Sequence, residues 1–149
     1  GTRFVTMQNH YNLIYREEER EMVPLCLDQR IGILPWSPLA RGLLAGRRRK
    51  ETVRARTDTY GHQIYGEDLR EADARVIERL EEAARLVGVS PAQLALAWLL
   101  QKPGIISPIV GVSKPNHLAD ALAALTLEVS EEVRRSLEDA YVPQVVAVM

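Results

Sequence analysis

The stretch IGILPWSPLARG, residues 31–42, decides the fold. Its first half, residues 31–36, is apolar without alternation, which is typical of a strand covered on both faces of a parallel sheet. Two more β-rich runs occur at Phe4–Gln8 and Ile105–Val112, and each predicts a further strand. Helical spacing predicts five helices, at Glu17–Gln29, Ala72–Val87, Leu94–Leu100 (after a capping start at Ser90), Lys114–Leu125 and Ser130–Ala140.

Alternating strands and helices favour parallel pairing with right-handed crossovers. Three parallel strands cannot close a barrel, and they leave two unpaired edges that proteins normally cover. The length of 149 residues fits one domain. The sequence therefore predicts an α/β domain over residues 1–149 that is a piece of a larger sheet or barrel.

Composition narrows the function classes. Hydrophobic residues make up 46 % of the chain, charged residues 26 %, and the net charge is −1. This near-neutral balance gives no general attraction to nucleic acid, and no apolar run reaches the roughly 18 residues of a membrane helix. We expect no signal peptide, and the single Cys26, flanked by leucines, predicts a buried structural thiol in a reducing, cytoplasmic location.

The residues that follow the central strand, 36–42, form what we call the tryptophan turn. Trp36 offers a flat aromatic face, Ser37 a hydroxyl and Arg41 a bidentate donor to phosphate. Ligands of parallel sheets and barrels bind at the carboxyl ends of the strands, which is where this turn lies. A tight turn around a core tryptophan is the alternative interpretation.

A second glycine-containing turn, residues 111–117, follows the third predicted strand and opens a helix. We call it the lysine loop. Backbone N–H groups at a helix start favour anions, and Lys114 with His117 adds positive charge. A plain connection between strand and helix is the alternative. Two such turns after successive strands favour a phosphate-bearing ligand.

The long stretch between residues 37 and 70 has no strong period, and insertions of this length are uncommon unless they are functional or disordered. The basic run at residues 47–50 lacks interleaved aromatic residues, so a solvated loop is favoured over a nucleic-acid patch. Acid and base types at residues 58–65 have no fixed geometry for catalysis. The histidines and Cys26 lack the spacing of metal ligands.

Residues 7–13, 36–42, 93–100 and 108–118 resemble the C-terminal half of an aldo-keto reductase, in the branch that includes bacterial oxidoreductases and potassium-channel β subunits. The resemblance covers nearly the whole chain. It implies half of a (β/α)8 TIM barrel, in which the three parallel strands with their flanking helices are the sixth to eighth. It also implies NADP(H), bound in extended form across the strand ends.

Residue by residue, the resemblance implies that Gln8 bonds the nicotinamide carboxamide and that Trp36 stacks on the nicotinamide ring. Ser37, Leu39 and Arg41 would line the pyrophosphate. The physical character of these side chains agrees with a ring followed by a pyrophosphate.

The remaining implied contacts belong to the far end of the cofactor and to the long loop. Ser113, Lys114 and His117 would hold the adenosine 2′-phosphate. The choice between NADP(H) and NAD(H) stays open, because histidine is charged only near or below its pKa. Asp120 would approach the adenine, and Arg47 and Arg56 would close over the pyrophosphate.

The family's catalytic tyrosine, lysine, aspartate and histidine lie on its first four strands, and none of the tyrosines of this chain matches that motif. The expected function is therefore NADP(H)-dependent carbonyl reduction by hydride transfer, carried by a fragment that lacks the catalytic half and is inactive alone. The alternative is a non-catalytic half-barrel that binds a nucleotide and self-associates through its open strand edges. Pairing with a missing N-terminal half would cover the same edges, and a folded fragment without activity is a third possibility.

Overall fold

The computed structural model describes residues 1–46, 64–65 and 69–146. The strands are β1 (Thr6–Met7) and β2 (Gly32–Ile33). The helices, in chain order, are α1 (Met22–Gln29), α2 (Glu71–Val87), α3 (Pro91–Leu100), α4 (Pro115–Ala123) and α5 (Glu131–Glu138). Short 3-10 turns cover Glu17–Glu19, Ala40–Ala45 and Ala124–Thr126.

Strands β1 and β2 pair in parallel, with Thr6 opposite Gly32 and Met7 opposite Ile33. The same register continues beyond the strands to a parallel bridge between His10 and Trp36. The amide of Trp36 donates to the carbonyl of Asn9 at 2.8 Å within that bridge. The first two predicted strands are thus confirmed as a parallel pair, although both are shorter than expected.

The prediction of three strands is wrong, because the described residues form a sheet of only two. Residues 105–112 contact β2 through two isolated parallel bridges, Ile33 to Ile105 and Trp36 to Ile109. Pro35 and Pro108 explain the interruption, since neither has an N–H to donate to the ladder. In the register of the Ile33–Ile105 bridge, the carbonyl of Pro35 would accept from residue 108, which is a proline. The amide of Ile109 donates to this carbonyl instead, at 2.8 Å, so the pairing shifts by one residue. The half-barrel itself stays a prediction.

The helices follow their sequence signals closely where those signals are local. Ser90 and Gln93 form the predicted capping box, with the Gln93 amide donating to Ser90 Oγ at 3.1 Å. Gly88 ends α2 with a left-handed φ of 81°, as expected for a C-terminal glycine. Helix α1 differs, since it begins at Met22 and not at Glu17.

The core lies between the helices and the loop that follows β1. Leu80 of α2, Trp98 and Leu99 of α3 and Leu137 of α5 are all at most 1 % exposed. Cys26 is free and buried, as predicted. Among the described residues no single helix is both long and apolar enough for a membrane span; α2 and α3 reach that limit only jointly, across a 98° bend.

Candidate functional site

The ends of the three parallel segments lie side by side. Trp36 is bridged to His10 on one flank and to Ile109 on the other. The tryptophan turn and the lysine loop therefore leave the same edge of the molecule. This is the arrangement that a ligand spanning both turns requires.

The tryptophan turn has an unusual backbone. Ser37, Ala40 and Arg41 have positive φ angles of 54°, 47° and 55°, and Gly42 has a φ of 101°. Residues other than glycine rarely adopt this region, and such strain clusters at ligand sites. Backbone hydrogen bonds within the turn hold this conformation, including the one that the amide of Ala40 donates to the carbonyl of Ser37 at 2.9 Å. The result is a compact turn that exposes Arg41 and buries Ala40.

Trp36 is the outer ring of an aromatic stack. The His10 imidazole lies 4.2 Å from the Trp36 ring with an interplanar angle of 12°, and 4.1 Å from the Tyr15 ring at 16°. His10 is only 6 % exposed. Burial lowers its pKa to about 4, so the imidazole sandwiched in this stack is neutral at pH 7.

The hydroxyl of Tyr65 lies at the edge of this stack. It is 2.7 Å from His10 Nε2, and Asn12 Nδ2 donates to it at 3.1 Å. Asn12 Nδ2 also donates to the carbonyl of Ser37 at 2.9 Å. Burial raises the pKa of Tyr65 to about 12, so its proton remains in place to be donated to His10 Nε2. Tyr65, from the long segment, is in this way linked directly to His10, which stacks on Trp36, and through Asn12 to Ser37, which follows Trp36 in the chain.

A cavity of about 220 Å³ opens at the stack. It is smaller than the roughly 300–1,000 Å³ of most ligand pockets, so it suits one ring and not a whole dinucleotide. Asn9 Oδ1 has no hydrogen-bond partner among the described residues, and a donor from a ligand or water would satisfy it. The wall consists of Met7, Gln8, Asn9, His10, Tyr15, Glu18, Met22, Trp36, Ile64 and Val146.

The lysine loop exposes Ser113 and Lys114 and half-buries His117. Ser113 Oγ lies 3.4 Å from His117 Nδ1. Pro115 begins α4, and among the described side chains none caps this helix start. Uncapped N–H groups beside a lysine favour an anion.

Asp120 lies further along α4 and is held from α3. Gln93 Nε2 donates to Asp120 Oδ1 at 3.0 Å, while Gln93 Oε1 accepts from the amide of Ser90. Gln93 therefore takes part in the capping box of α3 and also fixes the orientation of the Asp120 carboxylate.

The structure brings together some of the predicted site residues. Gln8 and Trp36 line one cavity, and Ser37 and Arg41 follow in the strained turn. Leu39 is different, because its partly buried side chain packs against the hydrophobic core. Arg47 and Arg56 lie outside the described residues.

Sequence reasoning missed the stack around Trp36. The sequence pattern presents His10 only as a possible metal ligand and Tyr65 only as an acid or base in a loop. The available signal was the short aromatic cluster at residues 10–15, which follows β1 as the tryptophan turn follows β2. Among the described residues no group of histidine, cysteine, aspartate or glutamate could hold a metal.

The neutral state of His10 makes stability depend on pH. In the unfolded chain His10 takes a proton near pH 6.5, whereas in the native state it does so only near pH 4. Its contribution to stability is therefore complete above pH 6.5 and is lost as the pH falls towards 4. Between pH 7 and pH 5 we expect the wild type to lose about 2 kcal/mol more than His10→Phe in urea unfolding. Identical losses in the two proteins would contradict the buried, neutral imidazole.

Comparison with known proteins gives one family. Residues 1–142 match the model of the aldo/keto reductase family. A proposed aryl-alcohol dehydrogenase of Schizosaccharomyces pombe is 46 % identical over 144 residues, which cover 95 % of this chain and 42 % of that protein. An aldo-keto reductase of Fusarium vanettenii is 43 % identical, over 96 % of this chain and 38 % of that protein. Versiconal hemiacetal acetate reductase of Aspergillus parasiticus is 41 % identical, over 97 % and 42 %. The chain thus spans about two fifths of the length of these curated relatives.

Proposed function

The chain belongs to the aldo/keto reductase family of oxidoreductases, and we propose that it is the C-terminal, NADP(H)-binding part of a carbonyl reductase. Such reductases generally use a nicotinamide cofactor, which supplies the hydride when it is bound. The observation that carries the proposal is the position of Trp36. Its ring lines a cavity together with Gln8, directly after a strand and between two neighbouring segment ends.

At the nicotinamide end, Trp36 offers a half-buried aromatic face and Gln8 a carboxamide in the same wall. An aromatic face suits a planar ring, and a carboxamide can pair with another carboxamide through one donor and one acceptor. The cavity volume fits a single ring. These three properties support a nicotinamide ring in the cavity with Gln8 as its hydrogen-bonding partner.

The pyrophosphate follows along the tryptophan turn in this proposal. The Ser37 hydroxyl and the exposed Arg41 guanidinium are donors of the kind that phosphate oxygens accept. Leu39 contributes through its backbone in this proposal, because its partly buried side chain packs against the core. Arg47 and Arg56 remain candidates from the sequence to close over the same group.

The 2′-phosphate of NADP(H) is proposed to bind at the lysine loop. Lys114 supplies a charge, Ser113 a hydroxyl and the start of α4 uncapped N–H groups. His117, within 3.4 Å of Ser113, adds a further donor. Asp120 would approach the adenine with its carboxylate already oriented by Gln93.

The chain alone is proposed to bind cofactor without reducing a carbonyl. None of the tyrosines of this chain matches the catalytic motif of the family. A proton donor and the substrate site would come from the half of the reductase that corresponds to the first four strands.

The exposed apolar margins support a second candidate, a half-barrel that self-associates. Phe4 and Val5, before β1, are 86 % and 75 % exposed, and Ile106 and Val112, in the segment on the other side of β2, are 59 % and 45 % exposed. Large exposed apolar patches mark interaction surfaces. A second copy of this chain or the N-terminal half of the reductase would cover them, and sedimentation of the purified chain separates a self-associating module from a monomer.

Replacing Lys114 with alanine tests the cofactor proposal. A charge-assisted bond to the 2′-phosphate contributes about 1.5–3 kcal/mol, so we expect Lys114→Ala to bind NADPH at least tenfold more weakly. NADH has no 2′-phosphate, and its affinity should change less than twofold. Isothermal titration of both nucleotides measures the two effects, with Lys102→Ala as a control because Lys102 instead bridges Glu138 at 2.7 Å. Equal losses for the two nucleotides would contradict the assigned 2′-phosphate site, and no binding of either would contradict the proposed function.

A further inference from the structure

The plane of the Trp36 ring is set by the plane of His10. The two rings are only 12° from parallel and their centroids are 4.2 Å apart. A ring in such close offset contact cannot tilt without losing the contact area. Whatever holds His10 therefore also holds Trp36.

Two independent constraints hold His10. Tyr15 covers its other face at 4.1 Å, which prevents the imidazole from tilting. The hydroxyl of Tyr65 lies 2.7 Å from Nε2, and because that lone pair lies in the ring plane, the bond opposes rotation of the ring. The Tyr65 hydroxyl in turn accepts a hydrogen bond from Asn12 Nδ2 at 3.1 Å, which fixes the direction of the phenol.

Asn12 connects this arrangement to the backbone on both sides. Its Oδ1 accepts from the amide of Ile14 at 3.0 Å, and its Nδ2 donates to the carbonyl of Ser37, the residue after Trp36. Asn12 is fully buried. The orientation of His10 is thus coupled to Ser37, the first residue of the tryptophan turn with a positive φ.

We propose that His10 is a positioning residue for Trp36: sandwiched between Tyr15 and Trp36 and oriented by Tyr65 and Asn12, it fixes the aromatic plane that receives the ligand ring. The inference rests on the proposed function for the identity of that ring, a nicotinamide. His10 does not touch the ligand in this account, and it acts through Trp36. The flat ring of His10 carries most of this role, and its in-plane acceptor for Tyr65 adds the smaller part.

Fluorine NMR of the chain labelled with 5-fluorotryptophan tests this inference without a ligand. The chain has two tryptophans, Trp36 and Trp98, and Trp36→Phe assigns the two signals. His10→Leu keeps apolar volume but removes the ring, so we expect the Trp36 signal to shift and broaden while the Trp98 signal stays. His10→Phe restores the ring and should bring the Trp36 signal most of the way back. Tyr65→Phe, which removes only the hydroxyl, should cause a smaller shift of the Trp36 signal alone.

NADPH titration of the same proteins provides the second readout. His10→Leu should bind about tenfold more weakly, and His10→Phe within threefold of the wild type. An unmoved Trp36 signal in His10→Leu, or a Phe variant no better than the Leu variant, would overturn the inference. If His10→Leu does not fold, Tyr65→Phe decides by whether the Trp36 signal moves. If the Trp36 signals behave as expected but no protein binds NADPH, the proposed function fails and the positioning role stands.

Discussion

Replacing Trp36 with alanine is expected to weaken NADPH binding by about tenfold to a hundredfold. Stacking of a flat heterocycle on an aromatic side chain contributes about 1–3 kcal/mol, and the alanine variant loses it entirely. The ring is well placed for this role, because it is half-buried, lines the cavity with Gln8 and is held at 12° to the His10 plane. Isothermal titration measures the effect without depending on tryptophan fluorescence.

Trp36→Phe is the matched control for this substitution. Phenylalanine keeps an aromatic face in the stack with His10 and loses only area, so we expect its affinity to remain within about threefold to fivefold of the wild type. The ranking wild type, phenylalanine, alanine identifies stacking as the cause. An alanine variant that binds NADPH as tightly as the wild type would remove Trp36 from the site.

Replacing Glu138 with alanine is expected to lower the free energy of unfolding by about 2 kcal/mol. Glu138 Oε1 accepts from Trp98 Nε1 at 2.8 Å and pairs with Lys102 Nζ at 2.7 Å. The variant leaves the indole N–H of Trp98, which is 1 % exposed, without its acceptor. Glu19 still pairs with Lys102, at 3.3 Å, which keeps the loss below that of a fully broken buried pair.

The charge state of Glu138 agrees with this role. Burial alone would raise the pKa of its carboxyl, but the hydrogen bonds from Lys102 and Trp98, with the charges of Lys102 and Arg16, lower the pKa overall. Its contribution is therefore present at neutral pH and is lost as acid protonates the carboxyl in the native state.

Glu131→Ala is the control for Glu138→Ala. Glu131 also pairs with two arginines, Arg134 and Arg135, but its side chain is 52 % exposed on the surface of α5. Exposed ion pairs contribute little, so we expect its urea midpoint to stay within error of the wild type. Equal midpoint shifts in the two variants would contradict the role assigned to the Trp98–Glu138 contact.

Local signals in the sequence predicted the helices well. The capping box of Ser90 and Gln93 and the terminal Gly88 depend on neighbours within a few residues, and the structure contains both. The start of α1 was predicted too early because Glu17 has distant partners. Its carboxylate accepts from the Tyr141 hydroxyl at 2.6 Å and from the amide of Gln144 at 2.8 Å. No helical period can reveal a contact across more than a hundred residues.

The prediction of a third strand is wrong because of two prolines. Pro35 and Pro108 fall opposite each other near the centre of the expected ladder, and each removes one donor. The stack at the site could not be predicted in the same way. His10 and Tyr65 are 55 residues apart, and only the folded chain brings their side chains to 2.7 Å.

The central claim is that the tryptophan turn and the lysine loop together bind one nicotinamide dinucleotide phosphate. A crystal structure of the chain with NADP⁺ tests it most directly. We predict the nicotinamide ring against Trp36, with its carboxamide at Gln8, and the 2′-phosphate at Ser113 and Lys114. A bound dinucleotide that contacts neither Trp36 nor Lys114 would contradict the account.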